Sequence, residues 1–493
     1  MRRRGISTLM AALLLLILAI SAGAIIYAYT MGFLGGFRAT PSKQGVLALD
    51  SAKCTTEEIK AYIRNIGGGT VIIDRAYVNG RAVEGAGYVF QVEDSELEAG
   101  ESTEVTIKIP GGFQPGRSYE VKIVGKRGAE ILFTVQPKGK AGWLGDWAKR
   151  VKLTVDHNDI DEDLTDFPLL IHISSSSGIG GDDVTFIFDE VGSNRFKIAV
   201  TTSDGITQCY VEVEYWDAVN EEAWLWVRVP SISSSEDTVL YLYYDNSKAD
   251  NTAYVGDPGS SAAQKVWDGN YLFVSHMADD PDDSHIRDST SNGNDGSKKG
   301  SGEPAQVSAI IGYGQEYVDD ADDYIELYPF DYDLTEFTVS FWMKTSDTSK
   351  YGTPISCHDG ATVDNELLIY NYRGFYLYLK GDPASTFGVS ANDGSWHQIV
   401  VTWRSSDGEF KFYKDGSPAY TGNLQAGATI NPANLIMGQE QDSFRGGFNP
   451  LEAFIGLMDE VRVSNVVRSG AWIKASYEAG IDNLIDFGGE ETY

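Results

Sequence analysis

The chain has only three cysteines in 493 residues, Cys54, Cys209 and Cys357. They stand far apart and form no Cys-x-x-Cys pair. That excludes a cysteine zinc site and argues against a disulfide scaffold, so each reads as a buried free thiol. Basic charge is also short, with 39 Lys and Arg against 71 Asp and Glu, a net charge of −32. Such a chain repels nucleic acid, so no nucleic-acid partner is expected. The acidic excess suits solubility and divalent cations. The six histidines are scattered singly, and no Ser/His/Asp set or glycine-rich phosphate loop can be assembled. Nor is there a Glu-x-Asp-x-Glu strand of the kind that places two carboxylates in one glycan-cleaving cleft; Asp459-Glu460 reads as two acids on opposite strand faces. The chain is therefore not expected to be an enzyme. An Asn-x-Ser/Thr glycosylation sequon is missing too.

One long hydrophobic run is present. Residues 6–37 carry no charge and follow Arg2, Arg3 and Arg4. About 20 apolar residues suffice to cross a bilayer as a helix, and the arginines mark the cytoplasmic side. The rest of the chain is then expected outside the cell. Ala22-Gly23-Ala24 offers a signal-peptidase site, so a secreted form stays open. The sequence "RRRGISTL" before a long apolar helix resembles the start of archaeal type IV pilins and archaellins. The resemblance implies cleavage between Gly5 and Ile6, with residues 1–37 forming a processing signal and a membrane-spanning, pilin-like helix. An uncleaved signal anchor shares this design.

The remainder reads as mainly β, in three sandwich domains. Residues 46–136 alternate apolar and polar, with a hairpin turn at Asn79-Gly80. The stretch "IRNIGGGTVIIDRAYVNG" resembles the head domains of archaeal pilins. Residues 137–146 read as a linker. Residues 147–268 form another expected sandwich, on strands such as "CYVEVEYWD" and "VLYLYYDN". With "WAKRVKLTV" and "AWLWVRVP", these resemble a domain of unknown function found in prokaryotic surface proteins. In residues 271–487, "DDYIEL", "FTVSFWMKT", "GSWHQIVVTW", "FKFYKDG" and "FIGLMDEVRVSNVVRS" follow one another in an order similar to the laminin-G-like, concanavalin A-like jelly roll.

Two sites are expected in this last region. Laminin-G-like domains often carry calcium, and the polar loop with Asp288, Asn292, Asn294 and Asp295 offers oxygen donors on a glycine bend. The resemblance adds Asp459 as a distant fifth ligand; the alternative is an Asx-turn loop without metal. In "LLIYNYRGFYLYLK", Phe375, Leu377 and Leu379 share one strand face, and Tyr376 and Tyr378 the other. The first face should be core. The second is either a stacking platform for sugar rings, with Arg373, Asp359 and Asp364 as hydrogen-bonding neighbours, or a buried interface. The expected role is a surface adhesin or pilin-like filament subunit that binds a glycan or another surface ligand. Its location is then the outer face of the plasma membrane or an extracellular pilus, and its partners are the membrane, copies of itself or other pilins. A structural filament subunit with non-binding decorations is one alternative, and a glycan-degrading enzyme is the other.

Overall fold

A computed structural model describes residues 44–114, 117–137, 142–300, 304–318, 323–386 and 388–493. The expected helix of residues 1–37, with Gly5 and Ile6, lies outside these. Among the described residues no helix is long and apolar enough to cross a membrane. The chain divides into two compact units between Ala141 and Gly142.

The first unit is a two-sheet β-sandwich. One sheet runs Leu47–Cys54, Ile59–Asn65, Ser102–Lys108, Val89–Val92; the other runs Arg81–Ala82, Val71–Val78, Tyr119–Gly125, Glu130–Val135. Strict alternation builds its core. Ile59, Ala61 and Ile63 point inward with Val105, Ile107, Val121 and Ile123. Asn79 and Gly80 both take positive φ, 48° and 77°, as the tight turn between Val71–Val78 and Arg81–Ala82 requires.

The second unit holds another sandwich and the jelly roll, and the chain crosses the boundary expected near residue 270. The final strand, Ile485–Thr492, pairs with Lys149–Val155 rather than joining the jelly roll. It completes a sheet of Gln208–Cys209, Ile198–Thr202, Thr238–Tyr244 and Lys149–Val155. Ile485 and Phe487 then fill the sandwich core, alongside Ala471, Ala475 and Ala479 of the helix Gly470–Gly480. The expected linker is shorter than 137–146, because Trp143 is fully buried in this unit. The Arg150 guanidinium lies 4.1 Å from the Trp143 ring and 3.6 Å from that of Tyr241, and its Nε donates to Glu491 at 2.8 Å. All three cysteines are free and buried.

The jelly roll consists of two eight-stranded sheets. Phe337, Val339, Phe341 and Met343 of Glu336–Lys344 face Ile355, Ile369, Leu377 and Leu379 across the core. The opposite face of Glu336–Lys344 is covered as well, with Trp342 stacked on Tyr477 of the helix. One sheet thus packs against the neighbouring sandwich, and the other, carrying Leu367–Tyr370 and Tyr376–Leu379, presents the tyrosine face.

Candidate metal and ligand site

The loop expected to bind calcium is committed to its own backbone. Asp288 Oδ1 accepts the amides of Thr290 and Val274 at 2.9 and 3.2 Å, and Oδ2 accepts the Thr290 hydroxyl and the Asn294 amide, both at 2.9 Å. Asp295 Oδ1 accepts the Asp288 amide at 2.8 Å. Asn292 and Asn294 donate their side-chain amides to the Tyr271 and Leu272 carbonyls. Asp459, expected as the fifth ligand, is buried and accepts the amides of Ile311 and Glu460 at 3.1 and 2.8 Å. Both Asp288 oxygens and both Asp459 oxygens thus accept N–H or O–H donors, and the Asx turns pin residues 288–295 to Tyr271–Ser275.

A different set of oxygens converges on the other sheet. Glu440, Asp442 and Glu452 each bring one carboxylate oxygen within 4.8 Å of the other two. The segment after Leu435–Met437 is held by a buried amide network. Gln441 accepts from Asn434 at 2.8 Å and donates to the Ser356 hydroxyl at 3.0 Å. Arg445 then forks onto Glu326, at 2.5 and 2.7 Å, and fixes the loop that leads to Glu452. Burial, then the charges of Asp442, Glu452 and Asp364, push the Glu440 carboxyl up to about 8. Glu440 Oε2 and Asn365 Oδ1 are buried without a hydrogen-bond partner.

These orphaned oxygens and mutually repelling carboxylates are what a hard cation satisfies, so the residues present fit calcium. Glu440, Asp442 and Glu452 would hold it, with the Asp364 charge acting on Glu440. Asp364, expected as a sugar-binding residue, therefore belongs to the acidic group. Asp359 has another role: its Oδ1 accepts the amides of Ala361, Thr362 and Val363 and shapes the preceding turn. Arg373 is exposed at the turn before Tyr376, reaching the Lys350 carbonyl at 3.4 Å.

Tyr376 and Tyr378 are half-buried, on the face opposite the fully buried Phe375, Leu377 and Leu379. They extend into a row. Successive ring centroids from Tyr376 to Tyr378, Tyr370 and Tyr351 are 6.5, 6.2 and 5.9 Å apart. The Tyr370 hydroxyl donates to Glu452 at 3.1 Å, which joins the row to the carboxylates. Reading strand faces located Tyr376 and Tyr378 but missed Glu440, Asp442 and Glu452. The available signal was the run Gln439-Glu440-Gln441-Asp442, a dense polar stretch directly after the apolar Leu435–Met437.

The Pentaxin family profile matches residues 319–488. A domain of unknown function (DUF2341) matches residues 194–263. The chain is 40% identical over 144 residues to "Sushi, von Willebrand factor type A, EGF and pentraxin domain-containing protein 1" of Rattus norvegicus, covering 29% of this chain and 4% of that protein. It is 36% identical over 126 residues to neuronal pentraxin-1 of Homo sapiens, covering 25% of this chain and 29% of the relative. The chain thus spans under a third of either relative. A native heptameric SAP-like pentraxin from Limulus polyphemus aligns at 18% identity with a TM-score of 0.28, over 34% of this chain and 87% of that one. Residues 319–488 of the second unit, the greater part of the jelly roll, are thus similar to the Pentaxin family.

Proposed function

We propose that this is a cell-surface binding protein whose pentaxin-type domain uses calcium to hold a glycan. One observation carries the reading: three carboxylates converge, with no cationic partner among the described residues, at the end of a row of four tyrosines. Calcium bound by Glu440, Asp442 and Glu452 supplies a positive centre for hydroxyl oxygens of a ligand. The tyrosine row supplies apolar ring faces on which sugar rings stack, with polar tips beside them. The Tyr370–Glu452 hydrogen bond couples the two, since it fixes a ligand carboxylate and a platform ring together. The reading is of binding rather than cleavage.

The charge-free run behind Arg2, Arg3 and Arg4 supports display on the outer face of the plasma membrane, as a lone adhesin or within a pilus. A glycan array read with calcium and with chelator tests the binding reading. Binding that disappears in chelator and in Tyr378→Ala supports it. Silence toward every glycan with calcium present overturns it.

A further inference from the structure

A second polar cluster lies on the opposite side of the jelly roll, at the seam with the neighbouring sandwich. The strand Val211–Asp217 sends Glu212 and Glu214 from one face into that seam. His276 follows Tyr271–Ser275, and Asp459, Glu460 and Arg462 come from Gly456–Ser464. Glu460 sits in the left-handed region, φ 51°, where the pairing of this strand with Glu336–Lys344 slips. That bulge re-aims its side chain, so Asp459 and Glu460 do not diverge as plain alternation requires.

His276 Nδ1 lies 2.6 Å from Glu460 Oε1 and 3.3 Å from Glu214 Oε2. Its Nε2 lies 3.4 Å from Glu212 Oε2. The carboxylates are themselves held from behind. The indole N–H groups of Trp226 and Trp267 donate to Glu214 and Glu212, each at 2.6 Å, and Arg462 pairs with Glu460. Yet His276 Nε2, Glu212 Oε1 and Glu214 Oε1 are buried without hydrogen-bond partners. Four carboxylates here face one guanidinium and one imidazole. A cavity of about 30 Å³ adjoins Glu460 and Arg462, enough for a water molecule.

We propose that Glu214, His276 and Glu460 bind a divalent first-row transition-metal ion, zinc being the closest chemical fit, and so clamp the sandwich to the jelly roll. The donor set is mixed imidazole and carboxylate, which suits zinc and not calcium. One ligand atom from each residue lies within 4.8 Å of the others. Glu212 faces the remaining imidazole nitrogen, the position of the carboxylate that orients a metal-bound histidine. The clamp is independent of the calcium site proposed on the other sheet.

The test is elemental analysis of the full chain, purified without a histidine tag or chelator, followed by exchange into cobalt. The expected result is about one zinc per chain, visible cobalt d–d bands, and retention of both in Glu440→Gln. His276→Gln should lose the metal, and Glu212→Gln should weaken it by about tenfold to a hundredfold. If the His276 variant does not fold, the wild-type stoichiometry and cobalt spectrum decide alone. Calcium as the sole metal, with no cobalt bands, overturns the proposal. So does zinc that vanishes in Glu440→Gln, which would place the ion at the calcium site.

Discussion

Glu440 is the residue on which the calcium reading turns. Without a cation its carboxyl is pushed up to about 8 from an ordinary 4.5, first by burial and then by its acidic neighbours. The folded state therefore keeps a proton that the unfolded chain releases. In chelator, stability should fall as pH rises from about 4.5 to about 8, and calcium should remove that fall. Melting curves against pH, with and without calcium, check this. Glu440→Gln should raise the melting temperature in chelator and weaken calcium by at least about tenfold, ~1.4 kcal/mol. Asp347 behaves in the opposite sense. Burial works to raise it, but hydrogen bonds from Ser349, Tyr372 and the Lys350 amide win and hold it down to about 2. Its contribution is full above its ordinary 3.8 and lost as pH falls toward 2. Asp347→Asn should flatten that part of an acid denaturation curve.

At the scale of the strand, Tyr376–Leu379 has two faces with separate costs. Leu377→Ala leaves a cavity in the jelly-roll core and should destabilise by about 2–5 kcal/mol, read by chemical denaturation. Tyr376→Ala and Tyr378→Ala should leave stability nearly unchanged and weaken glycan binding by about 1 kcal/mol each. This division was legible in the sequence, because apolar and tyrosine positions alternate with period two. The calcium set was less legible. Asp364 stood out near the tyrosines, but Glu440, Asp442 and Glu452 lie on a loop distant in sequence and are delivered by the neighbouring strand Leu435–Met437. The loop at Asp288 is harder to read for a local reason: the residues that make good calcium ligands also cap turns, and here the Asp288 oxygens accept backbone N–H donors. Glu212 and Glu214 show another limit of the strand pattern. The pattern Val-Glu-Val-Glu suggests a half-exposed strand, yet Glu212 is fully buried, because a second domain covers its polar face. Alternation reports which residues share a face; it does not report what lies against that face.

For the whole molecule, the closing strand Ile485–Thr492 ties the end of the chain back to Lys149–Val155. Truncation after Leu484 removes Phe487 from the sandwich core and exposes the edge of Lys149–Val155, so the second unit should lose cooperative unfolding and aggregate. The two units should melt separately in calorimetry, with calcium raising only the transition of the second, as mass action requires of a ligand bound to one unit. Processing at the other end is read by mass spectrometry of the mature protein: a start at Ile6 supports the pilin-type reading, and an intact Met1 a plain anchor. The central claim is that Glu440, Asp442 and Glu452 bind the calcium on which ligand binding depends. Calorimetric titration of calcium into the wild-type chain and into Glu440→Gln tests it most directly. The account predicts saturable binding by the wild type, in the range of about 10⁻⁵ to 10⁻³ M common for extracellular sites, and its loss or marked weakening in the variant. Equal binding by both proteins, or none by the wild type, would contradict it.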